Sequence, residues 1–432
     1  MKKLVILFAL CLMVAGCSTL PFGKTAQRGQ AQTPAKAAIN TKPAPVAAAP
    51  LPAPALAPMA NAQGASFKPV CLVLALPEGP YAPITARIKN GASVAQKELA
   101  TSGVAVEIRQ LNTDSPDWLS QLAALPPACT VVGGPLHAPA YTAAKGVSAR
   151  HALFTFLPQL GNGEEGTVAW RFFPSPVDQV NALLRFIKQD LGITAYGAFY
   201  PGDTYGARMT GMFEQAVRLN GGTVKAVSYP SSDMSAWTQQ AGQLLNPRMV
   251  NKVPISTATF EAIFLPDSWK NMEMITTSLF YHGDDRQVLM GTTLWEQGLS
   301  GQNSLGTFKY ELAIFPGAWN PTMVPPALQN AGGVDFWTAL GYDFIRFGSA
   351  MGISAPASSS EITASAQRAQ FMPWAMAPMQ WNMQGIASQH LFLFTPTATG
   401  FAPLDAAAFK ERRAQALTRF DNRSRAASAA KP

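Results

Sequence analysis

From residue 69 the chain alternates short apolar runs with longer stretches of mixed polarity, and Gly or Pro punctuates the joins. The run 69–76 is apolar almost without a break, as expected of a central parallel strand covered on both faces. The pattern then predicts a helix over 84–100 stopped by Ser102-Gly103, and a strand over 104–111. A short helix over 117–125 is stopped by Pro126-Pro127, and a strand over 129–133 ends in Gly133-Gly134-Pro135. A helix over 140–146, strands over 151–156 and 168–173, and a helix over 177–191 closed by Gly192 complete a first series. The rhythm restarts with strands over 194–200, 223–229, 260–265, 287–291 and 312–315. Helices over 205–219, 234–245 and 269–281 lie between them, and a long helix over 334–351 follows. Such alternation predicts an α/β protein with parallel sheets covered by helices on both faces, here two sheets in sequence. The body from about 67 to 400 is too long for one simple core and fits two.

The first residues follow a different pattern. Lys2 and Lys3 precede an apolar run over 4–14, a charged start and a hydrophobic stretch too short to cross a bilayer as a helix. The run ends Leu12-Met13-Val14-Ala15-Gly16-Cys17, which resembles the lipobox of bacterial lipoproteins. The resemblance implies a signal peptide over 1–16, cleavage before Cys17, and a lipid anchor on the Cys17 thiol. Ser18, where Asp would favour inner-membrane retention, leans the anchor towards the outer membrane, facing the periplasm. Residues 18–66 are rich in Ala, Pro and Gln, with almost no large apolar side chains after Phe22. They cannot bury enough surface to offset their ordering entropy, so 17–66 reads as a lipidated cysteine and a disordered tether.

Charge changes the picture only once it is divided. The net +8 comes from the ends: residues 1–66 hold six Lys and Arg and no acids, and residues 401–432 hold seven against three. The body between is about neutral, so a nucleic-acid partner is not expected. Read as flexible ends, these segments would favour anionic lipid or wall polymer, and 405–432 is assigned as a basic tail. Of four cysteines, Cys71 and Cys129 remain in the exported body, in an oxidising compartment. Each opens a short apolar run. If the runs are neighbouring strands, the two sulfurs start side by side, either bonded as a disulfide or buried as two small apolar thiols.

Ligands of open parallel sheets bind beyond the carboxyl ends of the strands, so two sheets place the natural site in the cleft between them. The strand ends here carry Gly134, Pro135 and His137, then Thr155, Asp203, Tyr205, Asp267, Thr292, Thr293 and Trp295. Asp203, Asp267 and Glu296 are the carboxylates near those ends, and Asp203 alternatively caps the helix that opens at Tyr205. Trp295 and Trp319 read either as core or as rings that stack on a ligand. The Met-rich stretch 372–383 is too broken by proline for an amphipathic helix, and reads either as a loop over the first lobe or as a partner surface. Gly161-Asn162-Gly163-Glu164-Glu165-Gly166 fits a dinucleotide fingerprint by letter. A strand follows it, however, and two glutamates would repel a pyrophosphate, so it is a loop. The histidines His137, His151, His282 and His390 share no metal-ligand spacing. No nucleophile elbow, phosphate loop or His-Glu-x-x-His appears. Neither metal, cofactor nor catalysis is expected.

Four segments carry a family resemblance: Val131-Val132-Gly133-Gly134-Pro135, Trp170 to Gln179 (WRFFPSPVDQ), Tyr200 to Gly206 (YPGDTYG), and Leu340-Gly341-Tyr342-Asp343. In this order and spacing they resemble the type I periplasmic-binding-protein family, which includes the branched-chain amino-acid receptors. Within it they are most similar to the lipoprotein activators of penicillin-binding proteins. The resemblance spans about 68–404 and implies two doubly wound lobes joined by three crossings, near Gly192, within 316–320 and within 373–385. Lobe 1 would hold 67–191 and 320–375, and lobe 2 would hold 193–315 and 386–404. Amino-acid-binding members follow the Gly-Pro with serines, whereas Leu136-His137-Ala138 follow it here. Thr155, Tyr205 and Gly291-Thr292-Thr293 match positions that line the family's cleft. Gln384 to Ser388 keeps only part of the family's carboxyl-terminal hairpin. The resemblance implies a non-catalytic lipoprotein that activates a penicillin-binding protein in peptidoglycan synthesis. The alternative is a receptor that closes on an amino acid or similar small molecule and delivers it to an ABC permease.

Overall fold

Parallel strands buried on both faces need apolar side chains at every position, and the first strand meets that demand. β1 (Val70–Leu76) is buried at every position after Val70. The structure, a computed structural model, describes residues 69–146, 150–300 and 306–429. The signal peptide, Cys17 and the tether expected over 1–66 lie outside the described residues.

After β1 come α1 (Ala82–Thr101), β2 (Val106–Asn112), α2 (Trp118–Ala123), β3 (Val131–Gly133), α3 (Ala138–Ala144), β4 (Ala152–Thr155) and β5 (Trp170–Arg171). Their parallel sheet has the order β2-β1-β3-β4-β5. Alternate side chains enter different cores. Leu72, Leu74 and Phe154 pack among one set of apolar residues with Ile88 and Phe344. Val73, Val132 and Leu153 pack with Trp118 and Tyr141 on the other face. Cys71 and Cys129 form a disulfide with Cα atoms 4.7 Å apart, where the adjacent β1 and β3 begin.

The second lobe is built from α4 (Pro176–Gln189), β6 (Ala195–Pro201), α5 (Thr204–Leu219), β7 (Thr223–Tyr229), α6 (Trp237–Leu245) and a small hairpin of β8 (Arg248–Val250) and β9 (Val253–Ile255). It continues with β10 (Ala262–Phe264), α7 (Met272–Tyr281), β11 (Val288–Met290), α8 (Leu294–Leu299) and β12 (Ala313–Gly317). The chain then returns to the first lobe as α9 (Phe336–Met351), α10 (Ser359–Ala369) and the hairpin of β13 (Met379–Trp381) and β14 (Ala387–Gln389). It ends on the second lobe with β15 (Phe392–Thr397), β16 (Gly400–Pro403) and α11 (Ala406–Ala429). The second sheet has the order β16-β15-β12-β11-β10-β6-β7, parallel except for the antiparallel pairings of β15 with β12 and β16.

The Leu340–Asp343 motif acquires a packing reason. A side chain on Gly341 of α9 would lie 2.0 Å from the Ile88 carbonyl oxygen, and one on Gly91 of α1 would lie 1.8 Å from that of Thr338. The two helices touch backbone to backbone, so both positions exclude a Cβ.

Three expectations change. α4 packs into the second lobe, because Val180, Leu183 and Ile187 share a core with Phe213 and Phe264. The first crossing therefore falls between Phe173 and Pro176, earlier than Gly192. The second lies at 317–319, and the third lies at 389–392, later than 373–385, since Ala387 still packs in lobe 1 and Phe394 in lobe 2. The third change is the basic tail. Residues 405–432 are not a free end, because most of them form α11, which lies along lobe 2. Phe409, Ala416, Phe420 and Ala427 of this helix are buried. Four of its cations pair with lobe 2 acids: Lys410 with Asp190 at 2.9 Å, Arg413 with Glu261, Arg419 with Glu311, and Arg423 with Asp285 at 2.8 Å. Those charges are spent on the fold, which removes most of the reason to expect a partner for them among anionic polymers.

A buried aromatic truncated to alanine costs about 3–5 kcal/mol. Phe409→Ala should therefore destabilise the protein by about that amount in denaturant unfolding. An unchanged midpoint would return the segment to a tail of no structural weight.

Candidate functional site

The site is positioned by how the lobes are joined. Arg171, on β5 and 3% exposed, donates to Asp178 Oδ2 at 2.8 Å, to the Phe173 carbonyl at 2.5 Å and to the Ala387 carbonyl. Its Nε lies 3.4 Å from Glu165, whose carboxylate accepts the Ala387 amide at 2.8 Å. Asp178 closes a capping box with Ser175 at the start of α4, where Pro176 suits the first turn. The other Asp178 oxygen accepts the Gln389 amide at 3.0 Å. Gln389 donates to the Ala377 carbonyl at 2.7 Å, and the Ala377 amide donates to the Ala318 carbonyl at 2.8 Å. One bonded chain thus runs through all three crossings. The segment from Trp170 to Gln179 carries it, which is the physical content of that motif. The loop around Gly161–Gly166 serves the same framework. Glu164 bonds Tyr141 and Lys145, and Glu165 bonds Arg171.

The candidate side chains at the strand ends fare differently from one another. In lobe 1, Gly134 has φ +102° and a side chain there would lie 2.2 Å from the Ala75 carbonyl, so the Gly134-Pro135 turn hugs β1. His137 stacks on Tyr81, ring centroids 5.7 Å apart, and its buried Nδ1 has no hydrogen bond. The hydroxyl of Thr155 is fully buried and likewise unpartnered.

In lobe 2 most candidates are already engaged. Asp203 accepts the Gly206 amide at 2.7 Å, so it caps α5. Asp267 accepts the Tyr229 hydroxyl at 2.6 Å, its neighbour Ser268's amide at 2.6 Å and the Asn271 side chain at 2.9 Å. Burial and that carboxylate push the Tyr229 hydroxyl's pKa up. The Tyr205 hydroxyl donates to Thr292 at 3.2 Å, and burial pushes its pKa up. The Thr293 amide donates to Gln179 of α4 at 3.1 Å. Trp295 is fully buried: it packs on Trp269, and its indole nitrogen donates to the Asp267 carbonyl. It belongs to the lobe 2 core and not to the cleft, which corrects its place among the candidates. Trp319 is core as well.

Two further groups matter at the junction. Glu296 of α8 faces Gly317, where an added side chain would sit 3.3 Å from its Oε2. Burial, with Asp335 at the start of α9 acting on it from lobe 1, raises its pKa to about 7 from an ordinary 4.5. Asp335 itself caps α9 and pairs with Arg87 at 2.5 Å. Tyr81, Gln179 and Asp335 had no sequence signal that marked them individually, since each matters only through what the fold sets beside it. Among the described residues no cluster of His, Cys, Asp or Glu could hold a metal ion.

No protein-family model matches this sequence, and no curated protein matches it. Solved structures do, and they place the architecture in the type I periplasmic-binding-protein fold. A putative branched-chain amino acid ABC transporter protein from Rhodospirillum rubrum matches with TM-score 0.61 at 13% identity, over 78% of this chain and 100% of that one. The C-domain of LpoA (YraM) from Haemophilus influenzae, a regulator of PBP1A, matches with TM-score 0.57 at 11% identity, over 78% and 100%. An ABC transporter substrate-binding protein from Desulfitobacterium hafniense matches with TM-score 0.55 at 14% identity, over 78% and 100%. These neighbours are binding or regulator proteins, and at such identities the likeness is one of fold.

Removing one partner of a buried ion pair costs about 3–5 kcal/mol, because the other charge is left uncompensated. Asp178→Asn should destabilise the protein by that order in urea unfolding. A loss under about 1 kcal/mol would mean that Glu165 alone suffices for Arg171. Glu296 gives a pH signature. Its folded pKa lies above its ordinary value, so the native state holds a proton that the unfolded chain releases. Stability is therefore lost as pH rises from about 4.5 through about 7. Glu296→Gln should match the parent's melting temperature near pH 4 and exceed it near pH 8, and equal curves across the range would refute the assignment.

Proposed function

We infer that this chain is a non-catalytic, periplasm-facing lipoprotein that activates a penicillin-binding protein in peptidoglycan synthesis. The observation that carries this reading is the state of the cleft. Its carboxylates Asp203 and Asp267 are bonded within lobe 2, its tryptophan is core, and the Gly134-Pro135 turn is followed by Leu136, His137 and Ala138, none of them a hydroxyl. An amino acid entering here would find few free groups for its charged ends, whereas a regulator needs none. The sequence supports the rest: a lipidated Cys17, an outer-membrane anchor facing the periplasm, and a tether long enough to reach an enzyme rooted in the inner membrane. The LpoA domain, which shares the fold, is a regulator of PBP1A.

A second reading is favoured by the unpartnered Thr155 hydroxyl and His137 Nδ1. Both would suit a small-molecule ligand delivered to an ABC permease. One pair of measurements separates the two. A ligand present at a hundred times its Kd stabilises the folded state by about 2.7 kcal/mol. Thermal unfolding against amino acids, small peptides and wall fragments should show no such saturable rise. The purified chain should also raise the rate of a purified penicillin-binding protein from the same cell. A saturable rise with one amino acid, and no effect on the enzyme, would replace the first reading with the second.

A further inference from the structure

An edge strand presents a row of unpaired backbone donors and acceptors, and proteins blunt such edges with short length, proline, bulges or charge. The two large sheets end on β2 and β5, and on β16 and β7. β5 has two residues, and β16 has four, the last of them Pro403. β7 runs for seven, and its one charged residue, Lys225, donates to the Gln243 and Leu244 carbonyls at the end of α6. β2 also runs for seven (VEIRQLN), holds no proline, and pairs with β1 residue for residue without a bulge.

The outer edge of β2 is open in its middle. The Val70 amide donates to the Ala105 carbonyl at 2.9 Å, and the Thr113 amide donates to the Leu76 carbonyl at 3.0 Å. The odd-numbered residues therefore turn their backbone groups to β1, and the even-numbered ones turn theirs outward. Of these, the Val106 carbonyl accepts the Gln96 side chain at 2.7 Å, and the Asn112 carbonyl accepts the Ser115 amide at 3.0 Å. Between them, the outward amides and carbonyls of Ile108 and Gln110 bond no described residue.

The side chains of this stretch complement themselves. Glu107 and Arg109 lie on one face of the strand, pair at 2.8 Å, and have side chains 45% and 42% exposed. A second β2 laid antiparallel and centred on Ile108 sets Ile108 opposite itself, Val106 opposite Gln110, and Glu107 opposite Arg109. Ile108 then meets its copy as a hydrogen-bonded pair, and the Glu107–Arg109 pairs fall at the closer, non-hydrogen-bonded sites. Each acid has one arginine beside it on its own strand and another across from it. Opposite charges so placed attract, whereas like charges would repel. The same operation on β7 brings no acid to Lys225.

We propose that β2 pairs with β2 of a second copy of this chain, joining two lobe 1 sheets into one about a twofold axis through Ile108. One strand from each copy is a small contact beside the roughly 1,200–2,000 Å² of a standard interface, so the dimer is weak and depends on concentration.

The test places a photocrosslinking amino acid at Gln110 of the full chain, in living cells that also make an epitope-tagged copy of the full chain. Leu219, exposed on α5 of lobe 2, is the control position. Crosslinked peptides are mapped by mass spectrometry. The expected product joins position 110 to the tagged copy near Val106, at a yield severalfold above the control. Arg109→Glu in both copies sets acid against acid and should cut that yield about fivefold. The double variant Glu107→Arg/Arg109→Glu restores the attraction and should recover the parent yield. Both side chains are exposed, so the variants should melt with the parent, which separates a lost contact from a lost fold. A product with a different protein overturns the second copy as occupant. No product above the control, or one mapping to another surface of the tagged copy, overturns the pairing of edges. A yield that ignores both charge changes overturns the register centred on Ile108.

Discussion

The contact between Arg171 and Asp178 is the constraint from which the arrangement of the lobes follows. Two sheets joined by three separate strands of chain have no inherent reason to hold a fixed angle. Here one buried guanidinium reaches the first crossing through Asp178 and the third through the Ala387 carbonyl, and Gln389 and Ala377 extend the line to the second. A buried charge is costly unless every donor finds an acceptor. The network therefore tolerates little change in the spacing of the crossings.

That frame explains how far the sequence could be read. The βα rhythm is a consequence of burial on both sheet faces, so it was legible, and strand 223–229 matches β7 residue for residue. The crossings were harder. Gly192 ends a helix and looks like a boundary, but helix ends and lobe boundaries obey different rules. α4 turns its apolar stripe of Val180, Leu183 and Ile187 towards Phe213, and no local signal says which lobe a helix will cover. The strand ends were located by a general rule of parallel sheets, yet the rule does not say which side chains remain free. Trp295 and Asp267 looked alike in sequence as cleft candidates. The fold made one a core residue and gave the other three internal donors.

The fold and the cleft thus separate two questions. Backbone features of the strand ends, such as the Gly134-Pro135 turn against β1, are requirements of building those ends. They persist whether or not anything binds. Side-chain donors that a ligand would need are another matter, and lobe 2 has turned most of its own inward. The polar groups left over are the Thr155 hydroxyl and His137 Nδ1 on lobe 1, and Glu296 at the junction. Glu296 carries its burial as a raised pKa, and the Asp335 carboxylate adds to the rise. A group of this kind changes its charge with pH.

α11 shows the same principle at the far end of lobe 2. Composition alone made 405–432 a basic tail, because Ala and Arg dominate and apolar residues are sparse. The sparse ones, Phe409, Ala416, Phe420 and Ala427, are separated by seven, four and seven residues, which places them on one side of a helix. The cations beside them answer acids at Asp190, Glu261, Asp285 and Glu311, which precede β6, β10, β11 and β12 in the chain. A single helix therefore laces the entry to four successive parallel strands. The surplus charge that looked like a surface for an anionic partner is instead the complement of a row of loops. Local charge reveals a partner only after the chain's own acids have been counted against it.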